Sequence, residues 1–169
     1  KNVGVVDAIS AEDIGKFPDG NLAESLARLV GVTTERSNDE GTKISVRGLG
    51  PEFNLVTLNG RSMPTVPGRY VGGRSFNFGD IASPGISAVE VFKAGNLTLP
   101  SGGIGSTVNM VTTRPLNVDG TLRSFSIAGV EDTTSEAGGL PVEGAMLFAT
   151  NRGRWGFSVS AAYQERTNQ

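Results

Sequence analysis

The stretch between residues 44 and 61 constrains the fold more than any other part of the chain. Its two ends, 44–46 and 56–58, carry apolar residues at alternate positions, which is the pattern of short, half-buried strands. A loop that contains glycine and proline joins them. The second segment ends at Asn59-Gly60, the dipeptide that most readily supplies the positive φ angles of a tight hairpin turn. The stretch therefore predicts a strand, a loop, a second strand and a turn.

Five segments carry recognisable motifs: Phe17–Leu26, Val46–Gly48, Leu58–Arg61, Val89–Lys93 and Gly102–Thr112. In sequence and in order they resemble the plug domain of TonB-dependent outer-membrane receptors. The resemblance implies an α+β fold, in which a small mixed sheet carries short helices.

The composition narrows the classes of function. Lys and Arg number 15 against 17 Asp and Glu, so the formal charge of −2 creates no basic field that would favour nucleic acid as a partner. The chain has neither histidine nor cysteine, which removes the commonest general base and the thiolate nucleophile. No cluster of carboxylates stands at the spacing of metal ligands. We therefore predict no catalytic site, no metal site and no cofactor.

Glycine makes up 24 of the 169 residues, about double the usual ~7%. Because the glycines are scattered among apolar runs, they indicate many tight turns and not a flexible linker. No apolar run approaches the ~18–20 residues of a membrane-spanning helix. No signal peptide opens the chain either, so an exported protein would begin upstream of Lys1.

Helical spacing of apolar residues predicts a helix that begins at Asn21 and ends at Gly31. Its apolar face, which we expect in the core, consists of Leu22, Leu26, Leu29 and Val30. The segments 32–35 and 43–47 flank a turn-forming sequence, so we expect them to pair as strands. A further strand is expected at Ile86–Phe92.

Two basic residues stand at the ends of predicted strands. Arg47 follows the segment 44–46, and Lys93 follows the strand Ile86–Phe92. In the family that the chain resembles, two plug arginines pair with acidic residues of the barrel wall, and the resemblance implies this role for Arg47 and Lys93. The family generally has arginine at the second position. Lysine is a point charge without the planar fork that grips a carboxylate with two bonds. A surface charge of little energetic value is the alternative for both residues.

The segment 62–73 contains two prolines and three glycines and shows little periodicity, which predicts a long surface loop. Arg61 precedes this loop, and Arg69, Tyr70 and Arg74 supply it with groups that bind polar ligands. In the family such loops face the extracellular mouth and touch substrate, so the resemblance implies that these four residues face substrate. A solvated loop with incidental arginines is the alternative.

The glycines of Gly102–Thr107 superficially suggest a loop that binds phosphate. Such a loop must open a helix whose N-terminal amides face the anion. The residues that follow, 108–113, are β-forming, and no lysine accompanies the glycines. We expect the glycines to form a turn that leads into a strand.

From Gly120 onward the sequence has a different character. Three segments alternate apolar with small or polar residues, and the clearest runs from Trp155 to Tyr163. Its eight steps of ~3.3 Å span ~26 Å, close to the apolar band of a transmembrane β-barrel with aromatic girdles at both interfaces. The other two segments centre on Phe125 and Ile127, and on Met146 and Phe148. A half-buried strand of a soluble sandwich shows the same alternation.

The connections between these segments favour the barrel. The turn at 151–153 is short, whereas 130–144 is a long acidic excursion. Outer-membrane barrels have short periplasmic turns and longer extracellular loops. If the plug is N-terminal and enters from the periplasm, the first strand runs outward and the second returns. The first connection then lies outside the cell and the second in the periplasm, which agrees with the observed order of a long connection followed by a short turn.

We therefore expect a plug at residues 1–116, followed at residues 117–169 by the first antiparallel strands of a truncated transmembrane β-barrel. Three strands cannot close a barrel, and open edges are not tolerated in lipid, so most of the wall would lie elsewhere.

The resemblance implies substrate-gated import across the outer membrane, with the plug inside the barrel lumen. The implied partners are the TonB energy-coupling complex, through a segment upstream of Lys1, outer-membrane lipid and a small-molecule or oligosaccharide substrate. The tripeptide Phe17-Pro18-Asp19 resembles the branch of the family in which oligosaccharide importers occur beside siderophore importers, so an oligosaccharide is the favoured substrate and a ferric siderophore the next. The alternative is a soluble extracytoplasmic α+β module that binds a ligand and completes its own sheet with the final strands.

Overall fold

The computed structural model describes residues 6–10, 22–37, 40–65, 75–81, 85–95, 99–129 and 142–164. Two compact units divide the chain, Lys1–Thr112 and Thr113–Gln169. The domain boundary given above, after residue 116, stays a prediction.

The first unit contains one short helix and seven strands among its described residues. They are β1 (Val6–Ser10), α1 (Leu22–Leu26), β2 (Val32–Ser37), β3 (Glu40–Val46), β4 (Asn54–Leu58), β5 (Arg61–Ser62), β6 (Ile86–Phe92) and β7 (Ser106–Thr112). Five strands form a mixed sheet in the order β1-β6-β7-β4-β5, and β2 pairs with β3. The pair β4–β7 is parallel, and the other neighbours are antiparallel. This is the small mixed sheet with few helical residues that the sequence predicts.

The core lies on one face of the five-stranded sheet. Val91, Val108 and Val56 are register partners across three adjacent strands, and all three are buried. β-branched side chains pack well on a pleated surface, which explains their use here. The same cluster takes in the leucines of α1, the inward residues of β2 and β3, and Phe78. One continuous apolar core therefore holds the sheet, the helix and the strand pair together.

The helix is shorter than its sequence predicts. It spans only Leu22–Leu26, where both leucines are fully buried, and Leu29 is only partly buried. The assignment of Val30 to the apolar face is wrong, because this side chain is 84% exposed. The chain leaves the helix before Leu29, so helical spacing no longer aims residue 30 at the core. Gly31 adopts a positive φ of 74°, and Asn21 lies outside the described residues. No helix in the described part of the chain is both long and apolar enough to cross a membrane.

The strand predictions in this unit are confirmed. Val32 to Glu35 pairs with Lys43 to Val46 inside the β2–β3 ladder, and β6 has the predicted bounds. Asn59 and Gly60 have φ angles of 52° and 79° and close the hairpin between β4 and β5. The glycines at 102–105 lead into β7, a strand and not a helix, as expected.

The second unit is a three-stranded antiparallel sheet. Its strands are β8 (Thr121–Gly129), β9 (Val142–Asn151) and β10 (Gly156–Gln164), in the order β10-β9-β8. The turn between β9 and β10 is tight: Arg152 N donates to Trp155 O at 2.9 Å, and Gly153 has a φ of 77°. The three predicted strands and the short hairpin are confirmed, whereas most of the long connection, residues 130–141, lies outside the described residues.

Candidate functional site

The register of the second unit separates two kinds of side chain onto opposite faces. Because partners across a ladder share a face, each row can be followed through all three strands. One face carries the rows Phe125–Met146–Ala161, Arg123–Phe148–Val159 and Ile127–Gly144–Tyr163. The other face carries Ser124–Leu147–Ser160 and Ser126–Ala145–Ala162. Three segments that alternate independently along the sequence thus place their aromatic residues on the same side, whereas Leu122 and Leu147 lie on the face that carries the serines.

This apolar face is open in the second unit. Phe125 is 73% exposed and Tyr163 is 63% exposed, and Trp155, one residue before β10, is 60% exposed. Large apolar side chains that share one open face indicate a surface which contacts an apolar phase or partner. The strands have nine or ten residues each, close to the ~9–11 that cross a bilayer in a barrel.

In the first unit, Arg47 and Lys93 converge on one short loop. Arg47 follows β3 with a positive φ of 54°, and its backbone N–H donates to Gly31 O at 2.8 Å. The ammonium of Lys93 donates to the carbonyl of the preceding residue, Val30. Neighbouring peptide units after α1 therefore hold the backbone of Arg47 and the ammonium of Lys93.

The two cations differ in their surroundings. The Arg47 side chain is exposed. The Lys93 side chain is only 7% exposed, and its ammonium forms an ion pair with Asp7 of β1. The geometry thus gives Lys93 an acidic partner within its own unit, while Arg47 presents its charge at the surface.

The sequence does not predict the contact between Lys93 and Asp7. Asp7 lies opposite Val91 in the antiparallel register, on the core face, and Lys93 is two residues further along the chain, just past the end of β6. The pairing of β1 with β6 is what brings the two charges together. The only signal is that Asp7 is an acidic residue within the otherwise apolar segment 3–9.

Of the four residues expected to face substrate, the structure describes only Arg61. It begins β5 immediately after the Asn59-Gly60 turn, and its side chain is exposed. Arg69, Tyr70 and Arg74 lie outside the described residues. Within the described ranges, no group of three acidic, histidine or cysteine side chains has the arrangement of a metal site.

Comparison with known families decides what this arrangement belongs to. The family model described as TonB-dependent Receptor Plug Domain matches residues 1–107. The chain belongs to this plug family. TonB-dependent receptors are outer-membrane proteins that hold the plug inside a barrel, and the antiparallel strands after the plug are consistent with the start of such a barrel.

Solved structures have the same fold at low sequence identity. The ferric enterobactin receptor PfeA of Pseudomonas aeruginosa is 22% identical, with a TM-score of 0.64 over 86% of this chain and 22% of its own. The alcaligin receptor FauA of Bordetella pertussis is also 22% identical, with a TM-score of 0.61 over 95% of this chain and 26% of its own. The hemophore receptor HasR of Serratia marcescens is 16% identical, with a TM-score of 0.69 over 94% and 24%.

The chain spans about a quarter of the length of these receptors. A search of curated proteins finds no match.

Proposed function

We propose that the plug gates TonB-dependent import through a complete outer-membrane receptor, of which residues 117–169 supply the first wall strands. One observation carries this proposal: the sheet that follows the plug places its aromatic side chains on one face and its serines on the other. A lipid-facing wall with a polar lumen needs this separation. A soluble module that completed its own sheet would instead cover the apolar face.

Arg47 is the better candidate of the two for a barrel carboxylate. Its guanidinium is exposed, and its backbone alone makes the bond to Gly31, so the side chain is available to an outside partner. Lys93 is proposed for the same role only if the wall displaces Asp7 or adds a second carboxylate to it. The pairing would hold the plug in the barrel until the energy-coupling complex acts on a segment upstream of Lys1.

We propose an oligosaccharide as the substrate, with a ferric siderophore as the second candidate. The oligosaccharide is supported by the resemblance of Phe17-Pro18-Asp19 to the branch of the family in which oligosaccharide importers occur beside siderophore importers. The siderophore is supported by the structural neighbours, whose names include receptors for ferric enterobactin and alcaligin. In either case Arg61, Arg69, Tyr70 and Arg74 are proposed to face the ligand.

A growth experiment distinguishes the two substrates. A strain that lacks the full-length receptor is compared with its parent, first on maltodextrins or chito-oligosaccharides as sole carbon source, then under iron limitation with ferric enterobactin. The proposal expects a growth defect on an oligosaccharide that is too large for passive pores, and none on its monosaccharide. A defect only under iron limitation would favour the siderophore. Normal growth in all conditions would contradict both.

A further inference from the structure

A row of polar side chains crosses the middle of the five-stranded sheet, on the face opposite Val89 and Val91. Glu90 of β6, Asn109 of β7 and Thr57 of β4 are register partners. Thr57 is fully buried, and Asn109 is 7% exposed. Buried polar groups cost free energy unless they are hydrogen-bonded, so this row needs partners within the fold.

The amide of Asn109 uses both of its polar atoms. Its Oδ1 accepts from Thr57 Oγ1 at 2.8 Å and from the Gly60 N–H at 2.9 Å, and its Nδ2 donates to Glu90 Oε2 at 3.0 Å. A backbone N–H only donates and an ionised carboxylate only accepts, so these partners fix the direction in which the amide points. The row therefore ends on the Asn59-Gly60 turn.

The turn is also fastened to β7 through Asn59. Its backbone N–H donates to Met110 O at 2.8 Å, its Nδ2 donates to Thr112 Oγ1 at 2.9 Å, and its Oδ1 accepts from the Thr112 N–H at 3.1 Å. The hairpin's own second strand, β5, is only two residues long. Since so short a ladder gives little support, β7 determines where the turn lies.

We propose that Asn109 is a positioning residue for Arg61. By holding the Gly60 amide, it fixes the turn and so the direction in which the next residue, Arg61, presents its guanidinium. This inference rests on the proposed function, in which Arg61 faces substrate. Asparagine is depleted in strands, and valine at this position would satisfy strand propensity but leave the Gly60 N–H without its acceptor.

A spin label at the turn tests the positioning without any ligand. In the full-length receptor, Ser62→Cys provides a labelling site beside Arg61, and the receptor without this substitution gives the background. Asn109→Thr and Asn59→Gly should each shift the label's spectrum toward its mobile component. Asn54→Thr is the matched control, since Asn54 belongs to the same strand as Thr57 and its amide bonds to Ile44 O and Ser106 Oγ, away from the turn. A spectrum unchanged in Asn109→Thr, or shifted equally in Asn54→Thr, would overturn the inference.

A double-mutant comparison tests whether the positioning matters for substrate. The affinity for maltodextrins and the affinity for chito-oligosaccharides are each measured in Arg61→Ala, Asn109→Thr and the double variant. If Asn109 acts through Arg61, the double variant should lose no more affinity than Arg61→Ala alone. Fully additive losses would overturn the inference. Unchanged affinity in Arg61→Ala would contradict the substrate role of Arg61, while the spin label would still decide whether Asn109 fixes the turn.

Discussion

The carboxylate of Asp7 and the ammonium of Lys93 form an ion pair that ties the edge strand β1 to the end of β6. The two partners are unequally buried, with side-chain exposures of 35% for Asp7 and 7% for Lys93. The ammonium also donates to Val30 O, so one cation joins β1, β6 and the loop after α1. The N-terminal strand is thus held by a charge contact in addition to its ladder.

The unequal burial of the two partners predicts that removing Asp7 destabilises the plug more than removing Lys93. Asp7→Asn leaves a nearly buried ammonium without its counter-ion and should destabilise the plug by about 1–3 kcal/mol. Lys93→Met should cost less, because the half-exposed carboxylate left behind can reach water. Hydrogen exchange of the β1 amides checks this, with faster exchange in Asp7→Asn than in Lys93→Met.

A variant in a more exposed ion pair, between Arg36 and Glu24, is the control for both substitutions. Arg36→Gln should change stability by only about 0–1 kcal/mol and should leave β1 exchange as it is in the parent. Equal exchange in Asp7→Asn and the parent would mean that the ion pair does not hold β1.

Position 103 requires glycine because there is no room for a Cβ atom, and not because of its backbone conformation. A Cβ at Gly103 would lie 2.1 Å from the backbone oxygen of Ser106, the first residue of β7. Gly103→Ala should therefore shift the start of β7 and destabilise the plug by about 2 kcal/mol or more. Thermal unfolding followed by circular dichroism measures the loss. Gly95→Ala is the matched control, since its Cβ meets nothing within 4 Å, and equal midpoints for the two variants would contradict the steric argument.

Local signals predict the elements of this fold well. The Asn59-Gly60 turn and the alternation in β8, β9 and β10 depend on neighbouring residues, so they are visible in the sequence. The extent of α1 is not visible, because the core, and not leucine spacing, decides where the chain leaves the helix.

Long-range partners are the part that the sequence does not reveal. Asp7 and Lys93 are 86 residues apart, and Asn109 and Thr57 are 52 residues apart. Each contact depends on which strands become neighbours in the sheet, and no local pattern specifies that choice. The role of Arg47 and Lys93 toward a barrel wall stays a prediction, since it involves residues elsewhere in a receptor.

Arg47 offers a way to separate retention of the plug from its stability. Its side chain is exposed and its φ is positive, so Arg47→Gly should keep or slightly raise the plug's own stability, by about 0–1 kcal/mol. In the full-length receptor the same variant should loosen the plug, because the guanidinium no longer reaches a barrel carboxylate. Protease resistance of the plug in outer membranes measures the loosening.

Arg36→Gln is the control for charge removal at another exposed arginine of the plug, because a glycine would weaken the strand β2 in which Arg36 lies. It should leave protease resistance unchanged. If Arg47→Gly also leaves both resistance and uptake unchanged, the proposed ion pair does not retain the plug.

If the strands that follow the plug face lipid, the environment of the side chains must alternate along β10, and a cysteine scan of this strand measures that alternation. Single cysteines at positions 157 to 163 of the full-length receptor in outer membranes are spin-labelled, and collision rates with oxygen and with a water-soluble nickel complex are compared. The collision rates should vary with a period of two. Labels replacing Phe157, Val159, Ala161 and Tyr163 should meet oxygen in lipid, and those replacing Ser158, Ser160 and Ala162 should not. Equal access of the nickel complex to all seven positions would contradict it.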